Sequence, residues 1–405
     1  MTTEVRKGYK QSEIGVIPED WEVKSISSFA DIATGNTPPT RDLSNYGDEF
    51  MFIGPADLGK RKWILNSEKK LSRKGFNISR KFPPCSILFT CIGSTIGKSG
   101  MATIELTSNQ QINAVLPNEY YHSDFLYYSL NFLSPKIKAL AGEQAVPLVN
   151  KTQFGETLVP IPPTKSEQTA ISTALSDADA LITSLEKLIE KKRAIKQGAM
   201  QELLKPKEGW EVEKLGEIAE VVGGGTPSTF VSEYWNGTIN WFTPTEIGTK
   251  KYSFESQRKL TKKGFSNCSA KMLPVGTILL TSRAGIGDLS ILTIEGCTNQ
   301  GFQSLISKDG YSNEYIYYLM LTLKNELLQN ASGSTFLEIS PNKIKQIEIS
   351  ISDYEEQTRI ATILSDIDAE IKALEQKLVK YKQIKQGMMQ ELLTGKIRLN
   401  QNLQD

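Results

Sequence analysis

The chain repeats itself at a separation of 189 residues. Trp21 recurs as Trp210, and the segment Gly35–Pro38 recurs as Gly224–Pro227. The same separation relates further matched segments: Leu71–Phe76 with Leu260–Phe265, Glu167–Thr169 with Glu356–Thr358, Ile195–Gly198 with Ile384–Gly387, and Met200–Leu204 with Met389–Leu393. Two copies are too few for a solenoid, which needs at least about three stacked units. Each copy is instead long enough to form one domain and a connecting element.

The first part of each copy has the pattern of a mixed α and β domain. Short apolar runs such as Ser86–Thr90 and Thr277–Thr281 lie between Gly, Pro, Asn and Ser residues, which is typical of strands. Longer stretches at Ser123–Leu140 and Asn313–Gln329 have the pattern of helices. The predicted fold class is therefore α/β mixed, with two repeated α+β domains.

The end of each copy predicts one long helix. Neither Ser166–Leu204 nor Glu355–Leu393 contains a proline, and their only glycines are Gly198 and Gly387. Apolar residues recur at alternating steps of four and three, which is the pattern of a coiled-coil seam. The seam residues are Ile171, Leu175, Ala178, Ile182, Leu185 and Ile189 in the first helix, and Ile360, Leu364, Ile367, Ile371, Leu374, Leu378 and Tyr381 in the second.

A narrow seam with charged flanks requires one partner helix, and the other copy supplies a matching one. This predicts a two-helix antiparallel coiled coil that separates two domains by roughly 40 Å. The alternative is that each helix packs only on its own domain. The predicted boundaries are residues 1–160 for the first domain, 161–206 for the first helix, 207–350 for the second domain, and 351–405 for the second helix and tail.

Several kinds of chemistry lack the residues that they need. The segment Gly93–Ser99 resembles a P-loop but has three residues instead of four between its glycines, and Gly285–Asp288 in the other copy has no lysine. A strand-to-strand turn is the favoured interpretation. His122 is the only histidine, so the chain lacks the second ligand of a zinc site and the residues for histidine-dependent catalysis. No motif of an amino-methylating enzyme is present, and we predict no catalytic residue, no metal site and no cofactor bound by this chain.

Composition and cysteine usage predict the compartment. The 405 residues contain no apolar run near the roughly 18 residues that span a bilayer, and the segment Met1–Lys10 has no apolar core of a signal peptide. The four cysteines are widely spaced, which is typical of reduced thiols. We therefore expect a cytoplasmic protein with no membrane partner.

Charge is balanced over the whole chain but not locally. Lys and Arg number 47 against 46 Asp and Glu, yet residues 60–81 and 250–271 are strongly basic. Such clusters are either solvated faces or nucleic-acid contacts, and their duplication favours the second interpretation. With polar residues of the repeated loops, the candidate DNA-binding residues are Thr37, Asp57, Lys60, Arg61, Lys62, Lys69, Lys70, Arg73, Lys74, Thr226, Glu246, Lys250, Lys251, Arg258, Lys259, Lys262, Lys263, Arg283, Asn299 and Gln300.

The combined motifs resemble those of a known family. Heptad helices that begin near Ser166–Gln168 and Glu355–Gln357, and that end near Gly387–Lys396, alternate with domains carrying Gly-x-Thr-Pro and Asn-Gln. This arrangement resembles the DNA-specificity subunit of type I restriction-modification systems over nearly the whole chain. One departure is that Ile161–Pro163 precedes the first helix, as in the family, whereas Ser350–Ser352 precedes the second.

The resemblance implies a function and partners. Two target-recognition domains would each recognise one half of a bipartite double-stranded DNA sequence. Two modification (methyltransferase) subunits would dock on the helices, and the larger assembly would add two ATP-dependent restriction subunits. The chain would then direct adenine methylation and restriction without catalysing either, and S-adenosylmethionine, ATP and magnesium are expected on the partner subunits. The alternative is a stand-alone bivalent DNA-binding or scaffold protein without catalytic partners.

Base recognition and phosphate contact require different side chains. Lys and Arg contacts to phosphate position a domain, whereas Arg, Lys, Asn, Gln and carboxylates recognise base edges in the major groove. The candidates for base contact are Asp57, Glu246, Arg283, Asn299 and Gln300, and each has an alternative role in forming a turn or a buried hydrogen bond. For Asn299-Gln300 and the equivalent Asn109-Gln110 the structural role is favoured, because both copies share them although their targets should differ.

Overall fold

The computed structural model describes residues 6–142, 145–283, 285–333 and 337–399. The chain divides into two compact units. The first contains Met1–Glu186 and Lys377–Asp405, and the second contains Lys187–Gln376. Each unit therefore combines one globular domain with part of each long helix.

The first copy is built from short strands and helices, followed by a helix of 39 residues. Its strands are β1 (Tyr9–Ser12), β2 (Gly15–Pro18), β3 (Glu22–Ser25), β4 (Ile32–Thr34), β5 (Tyr46–Ile53), β6 (Trp63–Ile64), β7 (Lys69–Leu71), β8 (Lys81–Phe82), β9 (Ile87–Thr90), β10 (Ser99–Ala102), β11 (Leu106–Ser108), β12 (Ile112–Val115) and β13 (Leu158–Ile161). Its helices are α1 (Ile26–Phe29), α2 (Arg73–Ile78), α3 (Ser123–Ala139), α4 (Lys151–Gly155) and the long α5 (Lys165–Leu203).

The second copy has the same plan. Its strands are β14 (Glu211–Lys214), β15 (Ala219–Gly223), β16 (Trp235–Phe242), β17 (Tyr252–Ser253), β18 (Arg258–Leu260), β19 (Ile278–Leu280), β20 (Leu289–Leu292), β21 (Gly296–Thr298), β22 (Gln303–Ser307) and β23 (Glu348–Ile351). Its helices are α6 (Leu215–Ile218), α7 (Lys262–Ser266), α8 (Asn313–Thr322), α9 (Lys324–Asn330), α10 (Pro341–Lys345) and the long α11 (Tyr354–Leu392).

The repeat in the sequence is a repeat in topology. The five-stranded sheet β4-β12-β9-β10-β6 corresponds strand for strand to β15-β22-β19-β20-β17. The smaller sheet β7-β5-β11-β8 corresponds to β18-β16-β21, where the edge strand is reduced to the single bridge Leu273–Gly296. The pair β13-β3 corresponds to β14-β23. The predicted α/β mixed fold with two α+β domains is confirmed.

The central strand of each five-stranded sheet divides its side chains between two cores. In β9, Ile87 and Phe89 pack in the cluster that includes α3, whereas Leu88 packs in the cluster that includes β5. Alternation follows from the two-residue period of a strand, and burial of both faces explains why the first three residues of β9, Ile87–Phe89, are all apolar. In β19 the same alternation sets Leu279 apart from its two neighbours.

The glycine-containing segment between β9 and β10 is the turn that the sequence predicts. Gly93 and Gly97 have φ of 88° and 101°, values that glycine adopts without a steric cost. The turn joins two antiparallel strands instead of a strand and a helix. A P-loop would require a helix at this point.

Each long helix has a buried glutamine in its first turn. The Gln168 Oε1 atom accepts a hydrogen bond from the His122 backbone N–H at 2.9 Å, and its Nε2 atom donates to the Pro162 carbonyl at 3.4 Å. In the second copy Gln357 accepts from the Ser312 N–H at 2.9 Å and donates to the Ser352 carbonyl at 2.7 Å. The amide binds backbone atoms, so the joint forms equally after the proline pair and after Ser350–Ser352.

The long helices α5 and α11 are antiparallel partners. In the first unit Asp179 and Glu186 form ion pairs with Lys385 and Lys382, so the numbers rise in one helix and fall in the other. In the second unit the ion pairs are Arg193–Glu375 and Lys196–Asp368. None of the predicted seam residues is exposed. Within the described residues, no helix is long and apolar enough to cross a membrane.

The seam also contacts the globular cores at its ends. Ile171 and Leu175 belong to the main core of the first domain, and Ile360 and Leu364 belong to that of the second. The alternative in which each helix packs on its own domain is therefore correct for the first turns of each helix. Farther along, Ile182 and Ile189 are buried outside those cores. A coiled-coil pattern alone cannot separate these two environments, because both select apolar residues at the same spacing.

We expect Gln168→Ala to lower the free energy of unfolding of the first unit by about 1–3 kcal/mol, because it leaves the His122 N–H without its acceptor, the Oε1 atom of a buried side chain. Gln197→Ala removes an exposed glutamine from the same helix and should change stability by less than about 0.5 kcal/mol. Urea denaturation of both variants measures the difference. Equal stabilities would show that the buried amide does not hold the helix on the domain.

Candidate nucleic-acid interface

Two loops that are distant in sequence meet at the edge of the first domain. The Thr37 hydroxyl donates a hydrogen bond to Gln110 Oε1 at 2.5 Å. A Cβ atom on Gly35 would lie closer than 3.0 Å to Ser108 and to the Asn109 carbonyl, so only glycine permits this approach. The Gly-x-Thr-Pro and Asn-Gln segments of the sequence are therefore one structural feature.

The second domain repeats this feature. Thr226 donates to Gln300, and a Cβ atom on Gly224 would overlap the Asn299 and Thr298 carbonyls. Both glutamines are exposed at the domain surface, whereas both asparagines are half-buried. The glutamines thus remain accessible to a ligand although each accepts one hydrogen bond from threonine.

The half-buried members of the candidate set shape the loops. Asn109 and Asn299 accept backbone hydrogen bonds from the residues two positions later, at 3.0 and 2.8 Å. The Asp57 carboxylate accepts from the Gly54 and Glu68 N–H groups, each at 2.8 Å. Glu246 accepts in the same way from the Thr243 and Gln257 N–H groups, at 2.7 and 2.6 Å. These contacts agree with the turn-forming alternative given by the sequence.

The first basic cluster is divided between two parts of the domain. Lys69 and Lys70 lie on β7, and Arg73 and Lys74 lie on α2, which packs beside that strand. Arg80 and Lys81 follow α2 into β8 of the same smaller sheet. Asn36 of the Gly-x-Thr-Pro loop accepts from the Arg80 N–H at 2.6 Å and joins the loop to this sheet. By contrast, Lys60, Arg61 and Lys62 precede β6 of the larger sheet.

The corresponding residues of the second domain have the same placement. Arg258 and Lys259 lie on β18, and Lys262 and Lys263 lie on α7. Lys250 is exposed just before β17 of the larger sheet. We call the smaller sheet with its helix the basic face of each domain: Lys69, Lys70, Arg73, Lys74, Arg80 and Lys81 in the first, and Arg258, Lys259, Lys262, Lys263 and Lys271 in the second.

Some basic side chains are already paired with carboxylates. Lys74 binds Asp42 at 2.7 Å, and this hydrogen bond is the main reason why the pKa of Asp42 falls to about 2. In the second domain Lys263 pairs with Glu233, and Lys259 binds Glu255 at 2.6 Å; these hydrogen bonds lower the pKa of both glutamates.

Arg283 is also paired, with Glu338 at 3.0 Å. Exposed ion pairs contribute little, so DNA phosphate can compete for these cations.

One arginine of each basic face stacks on an aromatic ring. The Arg73 guanidinium carbon lies 4.4 Å from the Phe50 ring centroid. The Arg258 guanidinium carbon lies 3.6 Å from the centroid of Trp235. Stacking on an aromatic face orders the side chain and leaves its N–H groups available for phosphate or guanine. Both arginines are exposed.

Lys62 and Lys251 are corrections to the candidate set. The Lys62 ammonium forms an ion pair with Asp124 at 2.8 Å, and its side chain is 9% exposed. Lys251 forms an ion pair with Glu314 and is 11% exposed. Their sequence neighbours are exposed, so composition gave no reason to separate them from the cluster. As these ammonium groups are buried and bound, they belong to the interior of each unit.

The sequence analysis missed the polar residues that surround these two lysines. Tyr128 and Tyr318, Ser176 and Ser365, and Asp179 and Asp368 occupy equivalent places in the two units. A signal was present, because identical Ser and Asp residues recur beside the heptad seam in both helices. Among the residues that the structure describes, no group of three or more His, Cys, Asp and Glu side chains could hold a metal ion.

Comparison with known proteins agrees with this architecture. The model of the type I restriction modification DNA specificity domain matches residues 18–197 and 207–385. The MjaIX type I restriction enzyme specificity subunit of Methanocaldococcus jannaschii is 46% identical over 163 residues, which are 39% of this chain and 38% of that subunit. The MjaVIII specificity subunit of the same organism is 25% identical over 414 residues, which are 95% of this chain and 94% of that subunit.

A solved structure shows the same fold. The S subunit of a type I restriction-modification system from M. genitalium aligns with a TM-score of 0.58 and 17% identity, covering 92% of this chain and 96% of that one. The family model matches most of the chain in two consecutive segments, and each segment contains one globular domain with most of its long helix. The chain therefore belongs to the type I restriction modification DNA specificity domain family, the non-catalytic DNA-recognition subunits of these systems, and it carries two such domains.

Proposed function

We propose that this chain recognises a bipartite double-stranded DNA target and directs adenine methylation, and in a larger assembly restriction, by partner subunits. Each domain recognises one half of the target, and the long helices set the spacing between the halves. The carrying observation is that the two copies share one topology and one Thr–Gln loop contact, while some exposed side chains differ, such as Lys60 and Thr249 or Glu49 and Thr238. A shared scaffold with different surfaces fits two different half-sequences.

Phosphate contact is assigned to the basic faces. Lys69 and Arg73 are exposed on one strand and the helix beside it, and Arg258 and Lys262 occupy the equivalent positions. Most direct contacts to duplex DNA go to phosphate and sugar and fix the register of the protein. Base contacts are assigned to exposed side chains near the two Thr–Gln contacts that differ between the copies, while the shared Gln110 and Gln300 hold the loops together.

Chemistry is assigned to the partners. The sequence carries no S-adenosylmethionine or nucleotide-binding motif, so S-adenosylmethionine, ATP and magnesium are proposed on the modification and restriction subunits. Two modification subunits fit a chain whose features occur twice. We also propose a cytoplasmic location, where chromosomal DNA and reduced thiols coexist.

We assign docking of the modification subunits to the last turns of the two long helices. Residues 195–204 and 384–393 are identical except at Ala199, which is Met388 in the other copy. Four positions are exposed in both copies, namely Ile195, Gln197, Gly198 and Gln201 with Ile384, Gln386, Gly387 and Gln390. Of the seven exposed residues from 186 to 194 in the preceding stretch, only Glu186 and Lys191 recur 189 residues later. An exposed surface repeated without change fits a partner that is the same at both sites.

The glycines give this surface its character. Nothing lies within 4 Å of the place where a Cβ atom would stand on Gly198 or Gly387, and both lie inside helices. A helix-interior glycine costs about 0.5–1 kcal/mol relative to alanine. Among the residues that the structure describes, no contact with either glycine compensates for that cost. Close approach of a partner backbone to the glycine would compensate for the cost. Ile195 and Ile384, which are 45% and 44% exposed, lie beside the glycines and could contact the same partner.

The proposed function is tested by reconstitution with a modification subunit. Methylation should appear at a two-part adenine motif, and the purified chain alone should show none. Exchange of residues 212–350 for the second domain of another family member should change one half of the methylated motif and leave the other half unchanged. Sequencing of methylated sites measures both results. Methylation at a continuous motif, or a change in both halves, would contradict the proposal.

Lys69→Glu with Arg73→Glu should weaken binding of the reconstituted complex to all DNA sequences alike. The slope of log affinity against log salt should become shallower by about 2, since each lost phosphate contact contributes about 0.9. Lys136→Glu with Lys138→Glu changes net charge equally on exposed residues of α3 and serves as the control. Titration by fluorescence anisotropy at several salt concentrations measures the slopes. Equal slopes for the two variants would reduce the basic face to a solvated surface.

Gly198→Ala with Gly387→Ala should have opposite effects on stability and on docking. Each substitution should raise the free energy of unfolding by about 0.5–1 kcal/mol, because alanine favours the helix. Binding of the modification subunit should weaken by about tenfold, because each new methyl group occupies the approach surface. Ala194→Ser with Lys191→Ala alters exposed positions outside this surface and should leave binding unchanged. Calorimetric titration checks both variants, and unchanged affinity of the alanine variant would place docking elsewhere.

A further inference from the structure

A buried lysine ties the first domain to its long helix. Besides its ion pair with Asp124, the Lys62 ammonium donates to Ser176 of α5 at 3.1 Å and lies 5.1 Å from the centroid of the Tyr128 ring. The Tyr128 hydroxyl donates to Asp179 of α5 at 2.8 Å. Lys62 comes from the loop before β6 and Tyr128 comes from α3, so two separate parts of the domain bind one turn of the helix.

The Asp179 carboxylate also binds the second long helix. One of its oxygens accepts from Tyr128, and the other accepts from Lys385 of α11 at 2.5 Å. The Lys385 ammonium lies 5.4 Å from the Tyr128 ring centroid. Domain, first helix and second helix therefore meet at one carboxylate. We call these six residues the first joint network: Lys62, Asp124, Tyr128, Ser176, Asp179 and Lys385.

The second unit contains the same network from equivalent residues. Lys251 pairs with Glu314 and donates to Ser365 at 2.8 Å, while Tyr318 donates to Asp368 at 2.6 Å. Asp368 in turn pairs with Lys196 of α5 at 2.6 Å. The second joint network is Lys251, Glu314, Tyr318, Ser365, Asp368 and Lys196. The acid that pairs with the lysine is Asp124 in the first network and Glu314 in the second, so the ion pair is present in both copies.

Buried charges of this kind contribute little to stability. Each ion loses part of its hydration here, since the Lys62 and Asp124 side chains are 9% and 25% exposed, and the attraction between them often only offsets such a loss. An apolar cluster of similar volume would hold the domain on the helix at least as firmly. Such a cluster would also tolerate sliding or rotation, whereas a charged network with fixed donors and acceptors permits one arrangement. Tyr128 and Tyr318 are 1% and 0% exposed, and this burial raises the pKa of both hydroxyl groups well above the usual range.

We infer that the two joint networks are positioning devices that fix the seat of each domain on the helix pair and thereby the spacing at which half-sites are accepted. This inference rests on the proposed recognition of a bipartite target. Asp179 and Asp368 each bind a tyrosine of a domain and a lysine of the opposite helix. A slip in the helix register or a rotation of a domain would therefore break both bonds at once. Helix length sets the approximate spacing, and the networks set its tolerance.

The experiment compares joint variants in the complete assembly with modification subunits. Tyr128→Phe with Tyr318→Phe removes only the two hydroxyl groups that bind Asp179 and Asp368. Initial methylation rates are measured on DNA with unchanged half-sites and with the native spacer or a spacer one base pair longer or shorter. The ratio of native to altered spacer should fall roughly three- to tenfold, the range that one hydrogen bond supplies. Preference for the half-site bases should stay unchanged.

Matched controls separate positioning from support of the fold. Tyr121→Phe with Tyr311→Phe also removes two tyrosine hydrogen bonds, to the Leu116 carbonyl and to Glu213, and neither touches a long helix. Its spacer ratio should equal that of the unaltered chain. If the phenylalanine joint variant does not fold, Ser176→Ala with Ser365→Ala disturbs the same networks less and should also lower the ratio.

Three outcomes would overturn the inference. An unchanged spacer ratio in folded joint variants, or an equal fall in the controls, would leave the networks with a structural role only. Absence of any bipartite methylation by the unaltered assembly would overturn the proposed function and this inference with it. If the unaltered chain prefers the native spacer and the joint variants keep that preference, only the inference fails and the proposed function stands. Failure of the inference and failure of the proposed function are therefore distinguishable.

Discussion

Pairing of α5 with α11 is the contact on which both globular domains depend. The main core of the first domain includes Leu392 and Leu393, which come from the end of the second copy. The main core of the second domain includes Leu204, with Met200 packed against it, from the end of the first copy. Each domain is completed by the helix of the other copy, so neither copy buries its full apolar surface alone. The repeat is thus two interdependent halves instead of two independent modules.

Residues that hold the scaffold together and residues on its surface are under different constraints. Residues that shape the scaffold are constrained by their contacts. Gln168 and Gln357 bind the start of each long helix to its domain. Gly35 and Gly224 permit loop contacts that no larger residue allows. Exposed residues on the smaller sheets are free of these constraints. Glu49 and Thr238, for example, occupy equivalent places with different side chains. The scaffold can therefore stay fixed while its surface changes, which is what a recognition protein with many targets requires.

Repeat, fold class and the long helices could be predicted from the sequence because each leaves a periodic signal. The helices begin and end within one residue of the predicted positions at Ser166–Leu204 and Glu355–Leu393. Contacts between distant residues leave no such signal. Lys62 stands in a run of three basic residues, and only the fold shows that it is buried beside Asp124 while Lys60 and Arg61 are exposed. The Thr37–Gln110 contact likewise joins two motifs that the sequence presents separately.

The comparison between copies distinguishes two kinds of exposed surface within one chain. On the smaller sheets the exposed Glu49 is replaced by Thr238, while the lysines Lys70 and Lys74 recur as Lys259 and Lys263. Side chains at the helix ends do not differ, although exposed helical positions carry no packing constraint and the glycines there are unfavourable for the helix. Descent from a common repeat cannot account for both observations, because the two surfaces have had equal time to diverge. The proposed contacts, with different DNA at one surface and the same partner at the other, would account for both.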